Sequence, residues 1–173
     1  MPDFTTVRSC VLPLNLYYKI EEHLWLRPEA DGSVTLGFSD VAQTTAGRIL
    51  VVSFRPVNAR YKQGKTIAIV ESAKWLGPLR APMEGTLVAV NESLLEDAGL
   101  VNRSPYRKGW VVRFRPDALD LKDFVTGADA AQAYEGYMER RNLDDCIHCE
   151  GYEFPEDGGS AAADSAGGRI GGG

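Results

Sequence analysis

Hydrophobic positions in this chain come in short runs separated by turn residues, not in long helical stripes. "VTLGF" (34–38) alternates apolar with small or polar residues, the period of a half-buried strand. "RILVVSF" (48–54), "TIAIVE" (66–71), "GTLVAV" (85–90) and "WVVRFRP" (110–116) are denser, β-branched runs that read as buried strands. Pro56 and Pro116 close the first and last of them. "LNLYYKIEEHLWLR" (14–27) mixes apolar and charged residues and predicts one or two short strands. Asp31-Gly32, the polar "NARYKQGK" (58–65) and "SPYRKG" (104–109) are turn signals. "SDVAQTTAG" (39–47) opens on two N-cap residues, Ser39 and Asp40, and stops at Gly47, which predicts a helix of one or two turns. "NESLLEDAGLVN" (91–102) has a helical middle at Leu94, Leu95 and Ala98, stopped at Gly99. Short strands at close spacing predict a small sandwich or barrel.

The pattern changes after Pro116. Leu119, Leu121 and Phe124, then Ala130, Ala133, Tyr134 and Tyr137, recur at helical spacing, so "DALDLKDF" and "GADAAQAYEGYMERR" predict one or two helices. Periodicity fades from about Leu143, and 158–173 is a Gly/Ala/Ser stretch too poor in apolar residues to order itself. The expected organisation is a loosely held arm over 1–13, a β domain over 14–116, a helical segment over 117–142 and a flexible tail over 143–173.

Composition narrows the classes. The 173 residues are 44% hydrophobic and 25% charged, enough for a real core, and carry a formal net charge of −5. No basic stripe suggests a nucleic-acid partner, and no apolar stretch approaches membrane-spanning length. The first residues show an apolar run broken by Pro13 and Asn15, with no cleavage-site pattern, and read as neither signal nor transit peptide. Three cysteines are an odd count and do not make a disulfide framework, so a cytoplasmic, reducing compartment is the default. Cys146, His148 and Cys149 in "CIHC" offer two thiolates and an imidazole, which zinc or a redox pair would use. No second pair accompanies them and Cys10 is far away in sequence, so the expectation is thiols free or loosely paired, without a metal. There is no nucleophile–base arrangement and no phosphate-binding loop, so no independent active site is expected.

One lysine stands out. In "AIVESAKWLGPLRAPMEG" (68–85), Lys74 lies between the "TIAIV" and "TLVAV" strands, which would bracket it at an exposed hairpin tip. A lysine in such a loop is ordinarily a solvated charge. Glu71 precedes it by three residues, Trp75 follows directly, and Gly85 opens the strand expected to return.

"VESAK", "APMEGTLVAVNESL" and "LVNRSPYRKGW", with "EEHLW" and "GFSDVAQTTAGRILVV" before them, resemble in order and spacing the H protein of the glycine cleavage system and its relatives over about 16–140. The resemblance implies a lipoyl/biotinyl-like flattened barrel or sandwich of two small antiparallel sheets, with short helices and a C-terminal helix. It implies lipoic acid in amide linkage on Lys74, attached by a lipoate ligase or lipoyl synthase system. Glu71 and Gly85 would serve recognition and shape for that enzyme, and Trp75 would dock or shield the arm or simply pack on the barrel end. The chain would be a carrier without turnover of its own.

The chain departs from the family at several positions. "EHLW" stands where the family has Ser-His-Glu-Trp, giving Glu22 and Leu24, with His23 and Trp25 retained. "DVAQ" puts Val41 at a family histidine, and Pro78 replaces an aspartate. Losing these polar groups disfavours a cationic aminomethyl cargo. The resemblance then points to a lipoate-binding branch serving a heterodisulfide-reductase-like complex in sulfur oxidation, with dihydrolipoamide dehydrogenase. The alternatives are a glycine cleavage carrier moving aminomethyl from glycine decarboxylase to aminomethyltransferase, or a docking module that carries no lipoate.

Overall fold

A computed structural model describes residues 3–155. Of the tail expected to be flexible (143–173), 156–173 lies outside the described residues, and 143–155 is held down, with Leu143, Cys146 and Tyr152 packed on buried residues. The elements in order are β1 (Phe4–Val7), β2 (Cys10–Pro13), β3 (Tyr17–Lys19), a 3₁₀ turn (Ile20–Glu22), β4 (Leu24–Pro28), β5 (Val34–Phe38) and α1 (Asp40–Ala46). Then come β6 (Ile49–Phe54), β7 (Arg60–Tyr61), β8 (Thr66–Ser72), β9 (Leu76–Arg80), β10 (Gly85–Val90), α2 (Ser93–Glu96) and α3 (Leu100–Arg103). The chain ends, as described, with β11 (Val112–Pro116), β12 (Val125–Thr126) and α4 (Gly127–Arg140).

A seven-stranded sheet (β12-β3-β4-β5-β11-β10-β7) and a three-stranded sheet (β6-β8-β9) form a flattened β-sandwich, and every strand pairing is antiparallel. Their inner faces share one core, with Leu24, Leu26, Leu36 and Phe114 from the larger sheet and Ile67, Val70 and Leu79 from the smaller. Period-two alternation explains why β4 reads as solid apolar sequence. Leu24 and Leu26 point into that core, while Trp25 between them points to a second one. The second core forms where α4, through Ala130, Tyr134 and Met138, and the β1–β2 hairpin cover the outer face at Tyr18 and Trp25. Burying an aromatic ring of this size contributes on the order of 2 kcal/mol or more.

Four further expectations change. The first residues are not a loose arm: β1 and β2 pair from Phe4↔Pro13 to Val7↔Cys10, and Cys10, Val11 and Leu12 are buried. The strand returning from Lys74 is β9, not the "TLVAV" strand, which as β10 belongs to the other sheet. "DALDLKDF" forms turns rather than a helix, and Leu121 and Phe124 nonetheless pack on the main core. "NESLLEDAGLVN" splits into two single-turn helices, α2 and α3, around Gly99. No helix among the described residues is long and apolar enough to cross a membrane.

Candidate functional site

Lys74 occupies the three-residue turn (73–75) between β8 and β9, and its side chain is exposed. The strand leading into it is stiff because β8 is the central strand of its sheet, paired to β6 on one side and β9 on the other. The turn closes by two bonds. Ser72 N donates to the Trp75 carbonyl at 2.8 Å, and Ser72 Oγ donates to the Ala46 carbonyl at 2.6 Å, tying the tip to the end of α1. Trp75 is half-buried and sits edge-on to His23 and Phe38, each at 6.0 Å between ring centroids. It plugs the tip onto the main core.

Beside the lysine lies an open cleft of about 270 Å³, lined by Ala46, Gly47, Arg48, Leu50, Ser72, Ala73 and Lys74. Gly47 makes the floor. Its φ of +78 lies in the left-handed region, which glycine adopts without strain. A Cβ there would stand 3.2 Å from Lys74 Cε, so the lysine chain runs directly across the bare backbone. Asn102 fixes this floor from α3. Its Nδ2 donates to the Gly47 carbonyl at 2.8 Å and to Gln43 Oε1 at 3.1 Å, while its Oδ1 accepts from Ile49 N at 2.9 Å. Sequence reading had Gly47 as a helix stop and Asn102 as part of a motif. Neither pattern says that they build the wall behind the lysine, because that contact spans a sequence separation of 55.

Glu71 stands on the outer face of the small sheet between Val51 and Leu76, its register partners, which are 51% and 58% exposed. Among the described residues no ion pair joins Glu71 to Lys74. Gly85 is not at the tip. It opens β10 beyond the far end of β9, in the other sheet, between Pro116 and Tyr61. A Cβ at Gly85 would fall on the Arg115 carbonyl and 2.7 Å from Pro116 Cα, so its bareness serves strand approach. None of Glu22, Leu24, Val41 and Pro78 lines the cleft. Leu24 and Val41 are buried in the two cores, and Glu22 is paired with Lys19 at 3.4 Å. His23 is packed, with Nε2 3.3 Å from Tyr137 Oη. Burial chiefly, with Arg141 adding to it, lowers its pKa to about 4.

The cysteines contradict the sequence reading. Cys146 is disulfide-bonded to Cys10 across a separation of 136 residues, and Cys149 is a free, exposed thiol. The β1–β2 turn delivers Cys10 to the segment that follows α4, so distance along the chain did not prevent pairing. Cys146, His148 and Cys149 therefore do not gather as a metal site. The donors that do converge are Cys10, Asp40 and Cys146, within 4.8 Å of one another, and the two sulfurs are consumed by their own bond. His148 instead holds buried Asp40, Nε2 to Oδ2 at 2.6 Å, and stacks on Tyr152 at 3.8 Å.

The Glycine cleavage H-protein family model matches residues 16–139. Glycine cleavage system H protein 2 of Aquifex aeolicus is 41% identical over 138 residues, 79% of this chain and 86% of the relative. Probable glycine cleavage system H protein 2 of Sulfurisphaera tokodaii is 38% identical over 127 residues, 72% of this chain and 86% of the relative. A crystal structure of a glycine cleavage system H protein from Mycobacterium marinum superposes with a TM-score of 0.63 at 28% identity, covering 72% of this chain and 99% of that one. The flattened sandwich, the C-terminal helix and the lysine-tipped hairpin thus lie within a matched region of known fold, and the chain belongs to the glycine cleavage H-protein family.

Proposed function

We propose that this chain is a lipoyl carrier of the glycine cleavage system, with lipoate in amide linkage on Lys74 Nζ. The observation that carries the reading is a solvent-facing amine on a doubly paired hairpin, lying over the bare backbone of Gly47. Among the described residues no hydrogen bond or ion pair occupies that amine. The cleft fits an acyl chain: Ala46, Leu50 and Ala73 supply apolar wall. Leu50 is 53% exposed, and with Val51 and Leu76 it extends the apolar surface around the tip. When bound, lipoate supplies a dithiolane that interconverts between disulfide and dithiol and holds a carried group on sulfur. The chain's own residues anchor that arm and keep it off the core. A tethered arm gains effective concentration at each partner enzyme without tight binding. Glu71, fixed on the outer face three residues before the lysine, is placed for the attaching enzyme to read. Partners of this reading are a lipoate-attaching system and the glycine cleavage enzymes, and the chain has no turnover of its own.

The test is intact mass and peptide mapping of chain made in a lipoate-competent host. A single lipoyl adduct on Lys74, lost in Lys74→Arg with no change in thermal midpoint, is expected. No adduct, or an adduct elsewhere, overturns the reading and leaves a docking module.

One observation favours a second cargo. Apart from Lys74, Arg48 is the one charged side chain lining the cleft, and among the described residues no ion pair neutralises it. A guanidinium beside the lysine repels a cationic aminomethyl group and attracts an anionic sulfur species, as a carrier for a heterodisulfide-reductase-like complex would need. Loading of the lipoylated chain by glycine decarboxylase separates the two. Efficient loading supports glycine cleavage; its loss in the wild type and gain in Arg48→Glu supports the sulfur cargo.

A further inference from the structure

The carrier reading uses none of the three cysteines, of which Cys10 and Cys146 are bonded and Cys149 is free three residues further on. Cys10 is 1% exposed and its sulfur cannot be reached from solvent. Cys146 is half-buried, and Cys149, three residues on, is exposed. The chain from Cys146 to Cys149 has no regular secondary structure, so no helix or strand holds the two sulfurs apart. The segment around them is nonetheless docked. Gln43 Nε2 donates to the Ile147 carbonyl at 2.8 Å, Ile147 N donates to Thr44 Oγ1 at 3.2 Å, and His148 holds Asp40. All three anchors are on α1, whose far end, Ala46, forms the wall of the Lys74 cleft.

We propose that Cys10, Cys146 and Cys149 form a thiol–disulfide exchange centre, separate from Lys74, in which Cys146 is the shared sulfur. The Cys149 thiol gives its proton to solvent, and the thiolate attacks Cys146 Sγ. The Cys146–Cys149 bond forms as the Cys10–Cys146 bond breaks. The electron pair leaves on Cys10 Sγ, which takes up a proton. One disulfide and one thiol enter and leave, so no outside oxidant or reductant is consumed. The direction of attack follows from access, since of the two bonded cysteines Cys146 is half-buried and three residues from Cys149, whereas Cys10 is 1% exposed. In the exchanged state the segment after α4 loses its covalent tie to the β1–β2 hairpin and keeps its hydrogen bonds to α1.

The chemistry is read by labelling the free thiol. Full-length protein, kept oxidised and free of added thiol, is incubated at mildly alkaline pH, shifted to mildly acidic pH to halt exchange, unfolded in urea with excess N-ethylmaleimide so that buried thiols react, digested, and mapped. Label on Cys149 in most molecules and on Cys10 in about 1–10% is expected, the range of an accessible minor state. In Cys149→Ser the Cys10 label disappears. A second variant keeps the proposal testable if the hairpin needs its disulfide. Cys10→Ser, treated with oxidised glutathione as the oxidant, is expected to form a Cys146–Cys149 peptide disulfide. Label confined to Cys149 in the wild type, glutathione adducts on both cysteines of Cys10→Ser without a ring, or three reduced thiols with one bound zinc would each overturn it.

Discussion

His23 shows how much one buried side chain can govern. It ends the 3₁₀ turn with φ at 62, packs edge-on to Trp75 and Tyr137, and leaves its Nδ1 without a hydrogen-bond partner. Desolvation, helped by the Arg141 charge and opposed by Glu21, brings its pKa down to about 4. The folded state therefore resists a proton that the unfolded chain accepts at about 6.5. The stability His23 contributes is complete above about pH 6.5 and is lost as pH falls toward about 4, on the order of 3 kcal/mol in all. Calorimetry should show the thermal midpoint falling by roughly 5–10 °C between pH 7.5 and 4.5. His23→Asn, which tolerates the left-handed backbone, should flatten most of that slope; an unchanged slope would assign the acid lability elsewhere. The exposure of Lys74 was expected from a turn between two β-branched runs, but the strand that returns is β9, and what singled this lysine out was the family motif around it. The pairing of Cys10 was not legible, since sequence distance says nothing of where a hairpin lands.

At the scale of elements, the wall behind Lys74 depends on a one-turn helix. α3 is too short to be stable alone, and its work is to hold Asn102 where one amide meets three partners, Gly47, Gln43 and Ile49. Asn102→Leu would keep the volume and leave the Ile49 N–H and the Gly47 carbonyl unpaired, at about 1–3 kcal/mol for each buried group. The urea midpoint should fall accordingly at constant m. Asn102→Asp retains the acceptor for Ile49 N but turns a second carboxylate oxygen against the Gly47 carbonyl and Gln43 Oε1, two acceptors, so it should lose at least as much. A clearly smaller loss in Asn102→Asp than in Asn102→Leu would mean that the donor bonds to Gly47 and Gln43 contribute nothing. The strands of the inner core were readable from period-two runs, whereas β9 was not. "LGPLR" holds a glycine and a proline, the residues that usually punctuate strands. Pro78 is tolerated there because β9 is an edge strand, paired only to β8. That misreading sent the hairpin's return to "TLVAV" and put Gly85 at the start of the returning strand, when it belongs where β10 meets β11.

For the molecule as a whole, the two ends of the described chain close on each other. The β1–β2 hairpin and the segment after α4 are joined by Cys10–Cys146, and around that bond Arg8 Nη1 donates to the Leu143 carbonyl at 3.1 Å and Ser9 Oγ bonds to Asp145. The family match begins at residue 16 and ends at 139, so this clasp lies at both margins of the shared fold. A cross-link over 136 residues restricts nearly the whole unfolded chain, which by loop entropy stabilises the fold by about 2–5 kcal/mol. Reduction should lower the thermal midpoint by roughly 5–15 °C, and Cys146→Ser should lie at the reduced value under both conditions. Cys149→Ser should behave as wild type, because its thiol closes no long loop. The sandwich beneath the clasp has its own core, so reduced protein should still melt in one cooperative step with Lys74 available for modification. Separate melting of the hairpin with α4 would show instead that the second core, around Trp25 and Tyr134, depends on the covalent tie.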